Sequence, residues 1–263
     1  MELEIDLQKS VDENASHYFE LSKKAKKKLA GANAAIDDSR KKLQKLLKEE
    51  TKFLTEEQQR QDEKLRSATR KKEWYEKFHW FISSNEFLCI GGKDATSNEI
   101  VIKKHLEKDD IVFHTEAAGS PFFIIKNGQS APQATLQECA QAVAVYSKAW
   151  KHSHTIADVF YVLPEQVSKE AKSGEYLQKG SFMIYGKTTP IQPKLEYAIA
   201  LLDNQIIAGP VIAISQRTKE YITIIPGEEK KSDLAKKIRH KLGSGDLDDI
   251  IKFLPAGGGQ IKK

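Results

Sequence analysis

Between Ser10 and Glu50 the chain has no proline and a single glycine, while Ala25, Leu29, Ala32, Ile36, Leu43 and Leu46 recur at steps of three, four and seven. That combination demands a long helix, because the breakers are missing and apolar side chains at this spacing share one narrow stripe. A stripe so narrow buries against another helix rather than against a sheet. From Thr51 to Lys72 the chain is more polar, its apolar positions thinned to Phe53, Leu54, Leu65 and Ala68. This segment either extends the helix or turns back as the second arm of a hairpin, for which Thr55-Glu56-Glu57 would be the helix start. Residues 1–72 carry 18 Lys and Arg against 14 Asp and Glu, with the cations gathered in runs such as Lys26-Lys27-Lys28 and Arg70-Lys71-Lys72. Such runs suit a phosphate backbone, and they equally suit the solvated face of a charged arm.

At Trp74 the character changes. The stretch WYEKFHWF holds five aromatics in eight residues, either a stacking platform or, in larger part, the core that docks the arm onto a sheet. Short apolar runs come next, parted by turn signals: 87–90 before Gly91-Gly92, 100–103, 111–114, and 122–125 before Asn127-Gly128, all read as strands. Thr135 to His152 has helical spacing, with Thr135 as N-cap and Glu138 completing a capping box. Residues 157–163 and 181–185 read as further strands, and 164–180 as a surface loop with Ser173-Gly174 at its turn. Beyond Ile191, 195–202 is a strand or short helix, 206–214 and 221–225 are a strand pair, and 232–242 is a basic helix ended by Gly243. The tail LPAGGGQIKK reads as disordered. The expected fold is α+β: a helical coiled-coil arm over 1–72, a small mixed α/β globular domain over 73–190, and an α+β extension over 191–263.

Chemistry-bearing motifs are sparse. The chain contains no GxSxG, HExxH or GxxxxGK[ST] pattern. Cys89 and Cys139 each sit in apolar sequence and read as small buried hydrophobes. His152 and His154 form an HxH pair that lacks a third ligand at metal spacing. Gly91-Gly92-Lys93-Asp94 resembles a phosphate-cradling turn but lacks the rest of a nucleotide loop, and a hairpin turn with two glycines at positive φ would look the same. What accumulates beside the strand ends is polar: Lys93, Asp94, Asn98, His114, Lys126 and Asn127. Cations and amides next to glycine turns and aromatics are the ingredients for gripping a sugar-phosphate backbone rather than for acid–base work. The formal charge of +5 agrees with an anionic partner. No run approaches 18 apolar residues and MELEIDLQKS has no secretory pattern, so a soluble cytoplasmic protein without membrane contact is expected.

WYEKFHWFISS, IGGKDATSNEIVIKKHL, DIVFHT with GSPFFIIKNG, and QVSKEAKSGEYLQKGSFMIYGK occur in that order. Together they resemble the RNA-binding NFACT-R domain of the NEMF/RqcH family of ribosome-associated quality-control factors. The segment before them is similar to the family's second coiled-coil arm, and ITIIPGEEKKSDLAKKIRHKL resembles the C-terminal extension of archaeal-type members. The resemblance implies a non-catalytic protein, without cofactor or metal, that contacts the large ribosomal subunit and tRNA or rRNA on stalled complexes. It carries an RNA-contact or architectural role onto Asp94, Asn98, His114, Lys126, Asn127, Ser173, Gly174, Glu175 and Lys187, with Lys169 in the same block. Where this chain has His79 and Lys93 the family usually has arginine, and lysine keeps the charge without the bidentate grip. After His114 the family's Ala-Asp and His-Gly give way to Thr115, Glu116, Ala118 and Gly119. The family's N-terminal domain is not matched, which implies either a piece of a longer protein or a short form to which a separate chain supplies that domain. The competing expectation is a structural coiled-coil interaction module without RNA contact.

Overall fold

A computed structural model describes residues 4–69, 73–117, 119–170 and 177–262. The chain divides into two compact units, Met1–Asp62 and Glu63–Lys263, and its fold is α+β. Helix α1 runs over Val11–Thr69, so residues 51–69 extend it and no second helix starts at Thr55. Its start is set by a capping box: the Ser10 N–H donates to Glu13 Oε2 at 2.8 Å, and the Glu13 N–H donates to Ser10 Oγ at 3.2 Å. Thr51 and Thr55 are accommodated because their hydroxyls donate back to the carbonyls of Leu47 and Thr51. The apolar stripe is exposed, with Leu29, Ile36, Leu43 and Leu46 all at least half accessible.

The second unit is built on two antiparallel sheets. Strands β1 (His79–Ile82), β2 (Leu88–Gly91), β3 (Ile111–Thr115), β4 (Phe123–Ile125), β5 (Val159–Val162) and β8 (Thr189–Ile191) form the larger, in the order β1-β2-β4-β3-β5-β8. Side chains alternate between its faces. Cys89, Ile111, Phe113, Phe123 and Ile125 enter one buried cluster, and Ile90, Val112, Phe122 and Ile124 the other. A sheet covered on both faces explains why these runs read as continuously apolar. A small pair, β6 (Val167–Ser168) and β7 (Met183–Ile184), lies within the segment expected as loop and strand. The second sheet, β9 (Tyr197–Leu202), β10 (Gln205–Gly209), β11 (Tyr221–Glu229) and β12 (Gly259–Ile261), is ordered β10-β9-β11-β12. Tyr197, Ile199 and Ile206 share the cluster that holds Phe113 and Phe123, so one core serves both sheets. Cys89 and Cys139 are fully buried in it.

Several expected elements differ. Residues 100–103 are not a strand: α2 (Ala95–Ile100) continues into a π-helical turn, Val101–His105. The Asp94–Ser97 capping box starts the helix upstream, and the β-branched run then buries Val101 and Ile102 without needing a ladder. The expected helix over 135–152 is two, α3 (Gln133–Val145) and α4 (Lys148–Lys151), with Ser147 capping the second. Thr135 is no cap, since Pro132 takes that place. The Thr135 hydroxyl is buried and donates to Asn85 Oδ1, while Glu138 accepts the Ser84 N–H at 2.9 Å, so both side chains brace the β1–β2 turn. Pro210 ends β10 and opens α5 (Val211–Arg217), which replaces the far half of the expected strand 206–214. Helices α6 (Lys231–Leu242), stopped by Gly243 at φ 78°, and α7 (Leu247–Phe253) come next. The tail is ordered through Lys262. Leu254 is buried, Gly258 O accepts the Trp150 indole N–H at 2.8 Å, and β12 pairs with β11.

Candidate functional site

The glycine turn after β2 is shaped by close approach and not by positive φ. A Cβ at Gly91 would stand 2.2 Å from the Phe123 ring, and one at Gly92 would stand 2.0 Å from Asn98 Oδ1. Ser97 ties the turn together, its hydroxyl accepting from the N–H groups of Lys93 and Asp94 at 2.7 and 2.8 Å. Asp94 Oδ1 accepts the Ser97 N–H at 2.8 Å, and that backbone donor holds the Asp94 carboxyl below its ordinary range. Buried Asn98 accepts the Phe122 N–H at 3.1 Å, fastening α2 to the first sheet. Lys93 is thus exposed on a rigid corner.

From this corner a row of side chains continues. His114 stacks on Phe122 with centroids 4.1 Å apart, and its ring nitrogens meet the carbonyls of Thr115 and Ser120. Burial pushes the imidazole pKa down, and the two carbonyls oppose that shift. Phe122 meets Phe182 edge-on at 5.4 Å, and the Lys169 ammonium lies 4.9 Å from the Phe182 centroid. Lys169 also pairs with Glu99 at 2.8 Å, and this hydrogen bond, with the Gly180 N–H, holds Glu99 at about 2. Lys93, Asp94, Asn98, His114 and Lys169 are therefore brought together around α2. None of the five pairs into a nucleophile–base arrangement.

Lys126 and Asn127 lie at the opposite end of β4 and form a closed turn. The Lys126 ammonium meets Asp110 Oδ2 at 2.7 Å, Glu107 Oε2 at 3.3 Å and the His105 carbonyl at 2.8 Å. The Asn127 N–H donates to the other oxygen of fully buried Asp110 at 2.9 Å, at a backbone φ of 54°. Lys187 is exposed, and its carbonyl accepts from the Gln166 amide at 3.0 Å. Ser173, Gly174 and Glu175 lie outside the described residues. The aromatic run splits: Phe78 and Phe81 are buried in opposite clusters, whereas Trp74 is 44% exposed and stacks on His105 at 4.4 Å. His152 and His154 are exposed with ring centroids 6.0 Å apart.

Sequence reasoning does not place His79, Lys231 and Lys252 together. His79 sits opposite Gly91 in the β1–β2 register and stacks on Tyr146 at 3.7 Å. Burial first, then the charges of Lys93 and Lys231, hold its pKa at about 3. Partial burial also lowers Lys93, and the Lys252 charge adds to that. No local motif announces this convergence; only the basic start of α6 and the departure from arginine at position 79 point toward it.

Residues 77–186 match the family model described as the NFACT protein RNA binding domain. The archaeal Rqc2 homolog aRqcH of Methanocaldococcus jannaschii is 37% identical over 206 residues, covering 74% of this chain and 30% of that protein. The ribosome quality control complex subunit NEMF of Homo sapiens is 38% identical over 186 residues, covering 68% of this chain and 16% of its own. Its Drosophila melanogaster homolog is 37% identical over 191 residues, with 70% and 18% covered. The chain spans less than a third of the length of these relatives. Among solved structures, the C-terminal part of the fibronectin/fibrinogen-binding protein of Streptococcus suis is similar at a TM-score of 0.39 and 17% identity, covering 48% of this chain and 49% of that one.

Proposed function

The chain belongs to the NEMF/RqcH family, and from that premise we propose that it is a ribosome-associated quality-control factor that binds RNA and catalyses no reaction of its own. The partner is the large ribosomal subunit with its tRNA or rRNA, met in the cytoplasm on stalled complexes. The observation that carries this reading is the corner at Gly91–Asn98, inside the matched domain, where Lys93 stands exposed on a turn locked by Ser97 and Asn98. A fixed point charge on a rigid turn grips a phosphate without ordering a loop at the moment of binding. Lys169 continues the surface, with part-buried His114 braced behind it on the buried Phe122 ring. Lys126, Asn127, Asp94 and Asn98 serve as its architecture, and Lys187 as an outlying cation. Cryo-EM of the chain with large subunits bearing peptidyl-tRNA tests this: density for residues 77–186 against RNA supports it, and no binding to the subunit overturns it.

A second reading has its own observation. Leu29, Ile36, Leu43 and Leu46 are exposed along α1, as a coiled-coil seam would be before it meets its partner helix. In that reading α1 is an interaction arm, and a separate chain docks on it. That reading, an interaction module without direct RNA contact, competes with the first and predicts no binding to RNA.

A further inference from the structure

The aromatic run before the larger sheet divides by exposure. Phe78 and Phe81 are buried and Trp80 is part-buried, but Trp74, which opens the short 3₁₀ turn Trp74–Lys77, is 44% exposed. Its ring lies on the His105 imidazole with centroids 4.4 Å apart and planes 19° from parallel. The core holds that imidazole in place. Buried Phe78 meets it edge-on at 5.4 Å, and Lys126, itself anchored on Asp110 at 2.7 Å, donates to the His105 carbonyl at 2.8 Å. Stacking on one ring takes one face of the indole, and the accessible area that remains is room for a second ring.

Cations stand beside the pair. Lys77 is exposed, its ammonium 4.9 Å from the Phe78 centroid, and exposed Lys104 directly precedes His105. The neighbouring carboxylates are engaged, apart from exposed Glu73: Glu76 accepts the Glu73 N–H at 3.0 Å, Glu107 pairs with Lys126 at 3.3 Å, and Glu99 pairs with Lys103 at 3.5 Å and with Lys169 at 2.8 Å. Burial, then the charges of Lys77, Lys126 and Lys104, push the His105 pKa below its ordinary value against the pull of Glu107, so the stack is neutral at neutral pH. A flat ring open to solvent between ammonium groups fits a nucleobase flanked by its phosphates, since every base offers a π face. An acidic peptide would meet the cations and leave the indole uncovered.

We propose that Trp74, backed by His105, stacks on a base of single-stranded RNA, with Lys77 and Lys104 holding the adjoining phosphates. This rests on the RNA-binding reading above and deepens it: Trp74 precedes the matched residues 77–186 and adds a contact that does not depend on charge. Lys93 and His105 stand at opposite ends of the helical stretch Ala95–His105. The phosphate grip and the stacked base are therefore about 15–20 Å apart along one rigid element.

The test uses the full chain, a short oligouridylate and an abasic ribose-phosphate strand of the same length, with the variants Trp74→Ala, Trp74→Phe and the double variant Lys77→Ala, Lys104→Ala. Affinity is read by fluorescence anisotropy at several salt concentrations, alongside the tryptophan emission of the parent chain. Trp74→Ala should weaken oligouridylate binding about tenfold at every salt concentration with the slope unchanged, because stacking releases no counterions. Trp74→Phe, which restores a ring, should recover most of that loss. The double lysine variant should instead lower the slope by roughly 1.4, the share of two single-strand phosphates. The parent should bind the abasic strand about as weakly as Trp74→Ala binds oligouridylate, and only the strand with bases should quench its emission. If the parent binds both strands equally well, or Trp74→Ala binds oligouridylate as the parent does, Trp74 is no stacking platform while the RNA reading stands. Should Trp74→Ala misfold by circular dichroism, the two strands on the parent chain still decide between these results. A parent chain that binds neither strand overturns the RNA reading, and this site with it.

Discussion

Asn98 accepts the Phe122 backbone N–H at 3.1 Å while its Oδ1 also fills the space above Gly92. One side-chain oxygen thus joins three things: the helix that begins at Asp94, the strand end that carries Phe122 under His114, and the turn that presents Lys93. The site's rigidity is concentrated in that contact.

Replacing Asn98 by Ala should therefore leave a buried N–H without a partner and cost about 1–3 kcal/mol of stability. Urea unfolding monitored by circular dichroism measures this. Asn98→Ala should also weaken RNA binding where the protein is still folded, because the turn under Lys93 is released. Stability equal to that of the parent chain would show that the Phe122 N–H finds another acceptor.

Gly92→Ala brings a methyl group into the same space, 2.0 Å from Asn98 Oδ1 before relaxation. Overpacking of a closed site typically costs about 1–3 kcal/mol. Thermal unfolding should show a lower Tm for Gly92→Ala than for an alanine at nearby exposed Thr96. Equal midpoints would mean that the corner yields easily.

Lys126 should separate from Lys93 in kind. Its side chain is only 15% exposed and faces an Asp110 side chain with no exposure at all. Lys126→Ala strands that carboxylate, a loss on the order of 3–5 kcal/mol for a buried pair. Lys93→Ala, on an exposed turn, should leave unfolding within about 0.5 kcal/mol of the parent chain. Denaturant titration of the two variants side by side decides it, and a Lys93 variant as unstable as the Lys126 one would contradict the division of roles.

His79 gives a pH dependence whose sign can be worked out. Its folded pKa of about 3 lies below the ordinary histidine value of 6.5, so between those values the unfolded chain binds a proton that the folded chain does not. Stability contributed by neutral His79 is complete above pH 6.5 and is lost as pH falls toward 3. His79→Phe, which keeps a ring against Tyr146, should lose less stability than the parent between about pH 7.5 and about pH 5. His114 and His105 are also lowered, and they contribute equally to both proteins. Parallel pH profiles for the two would contradict the assignment to His79.

Much of this is legible in the residues themselves. The apolar runs 111–114 and 122–125 read as strands and are β3 and β4, and Gly243 stops α6 as its type suggests. The glycine corner stands out in the sequence too, though the reason differs: the close approach of Phe123 and Asn98, and not φ, requires glycine there. Residues 100–105 mislead because β-branched side chains bury as well from a helix as from a strand, and the deciding signal, Asp94 with Ser97, lies upstream. Thr135 and Glu138 have the spacing of a capping box yet serve the β1–β2 turn across the core. The tail's glycines read as disorder, but their backbone closes the second sheet.

The most direct test of RNA binding is the salt dependence of affinity for tRNA and for large-subunit RNA, measured for the parent chain and for Lys93→Ala. The predicted result is a steep linear fall of log affinity with log salt for the parent chain. For the variant it is weaker binding on every RNA, with a slope smaller by about 0.7–0.9, the contribution of one phosphate contact. Identical affinities and slopes for the two proteins would contradict it.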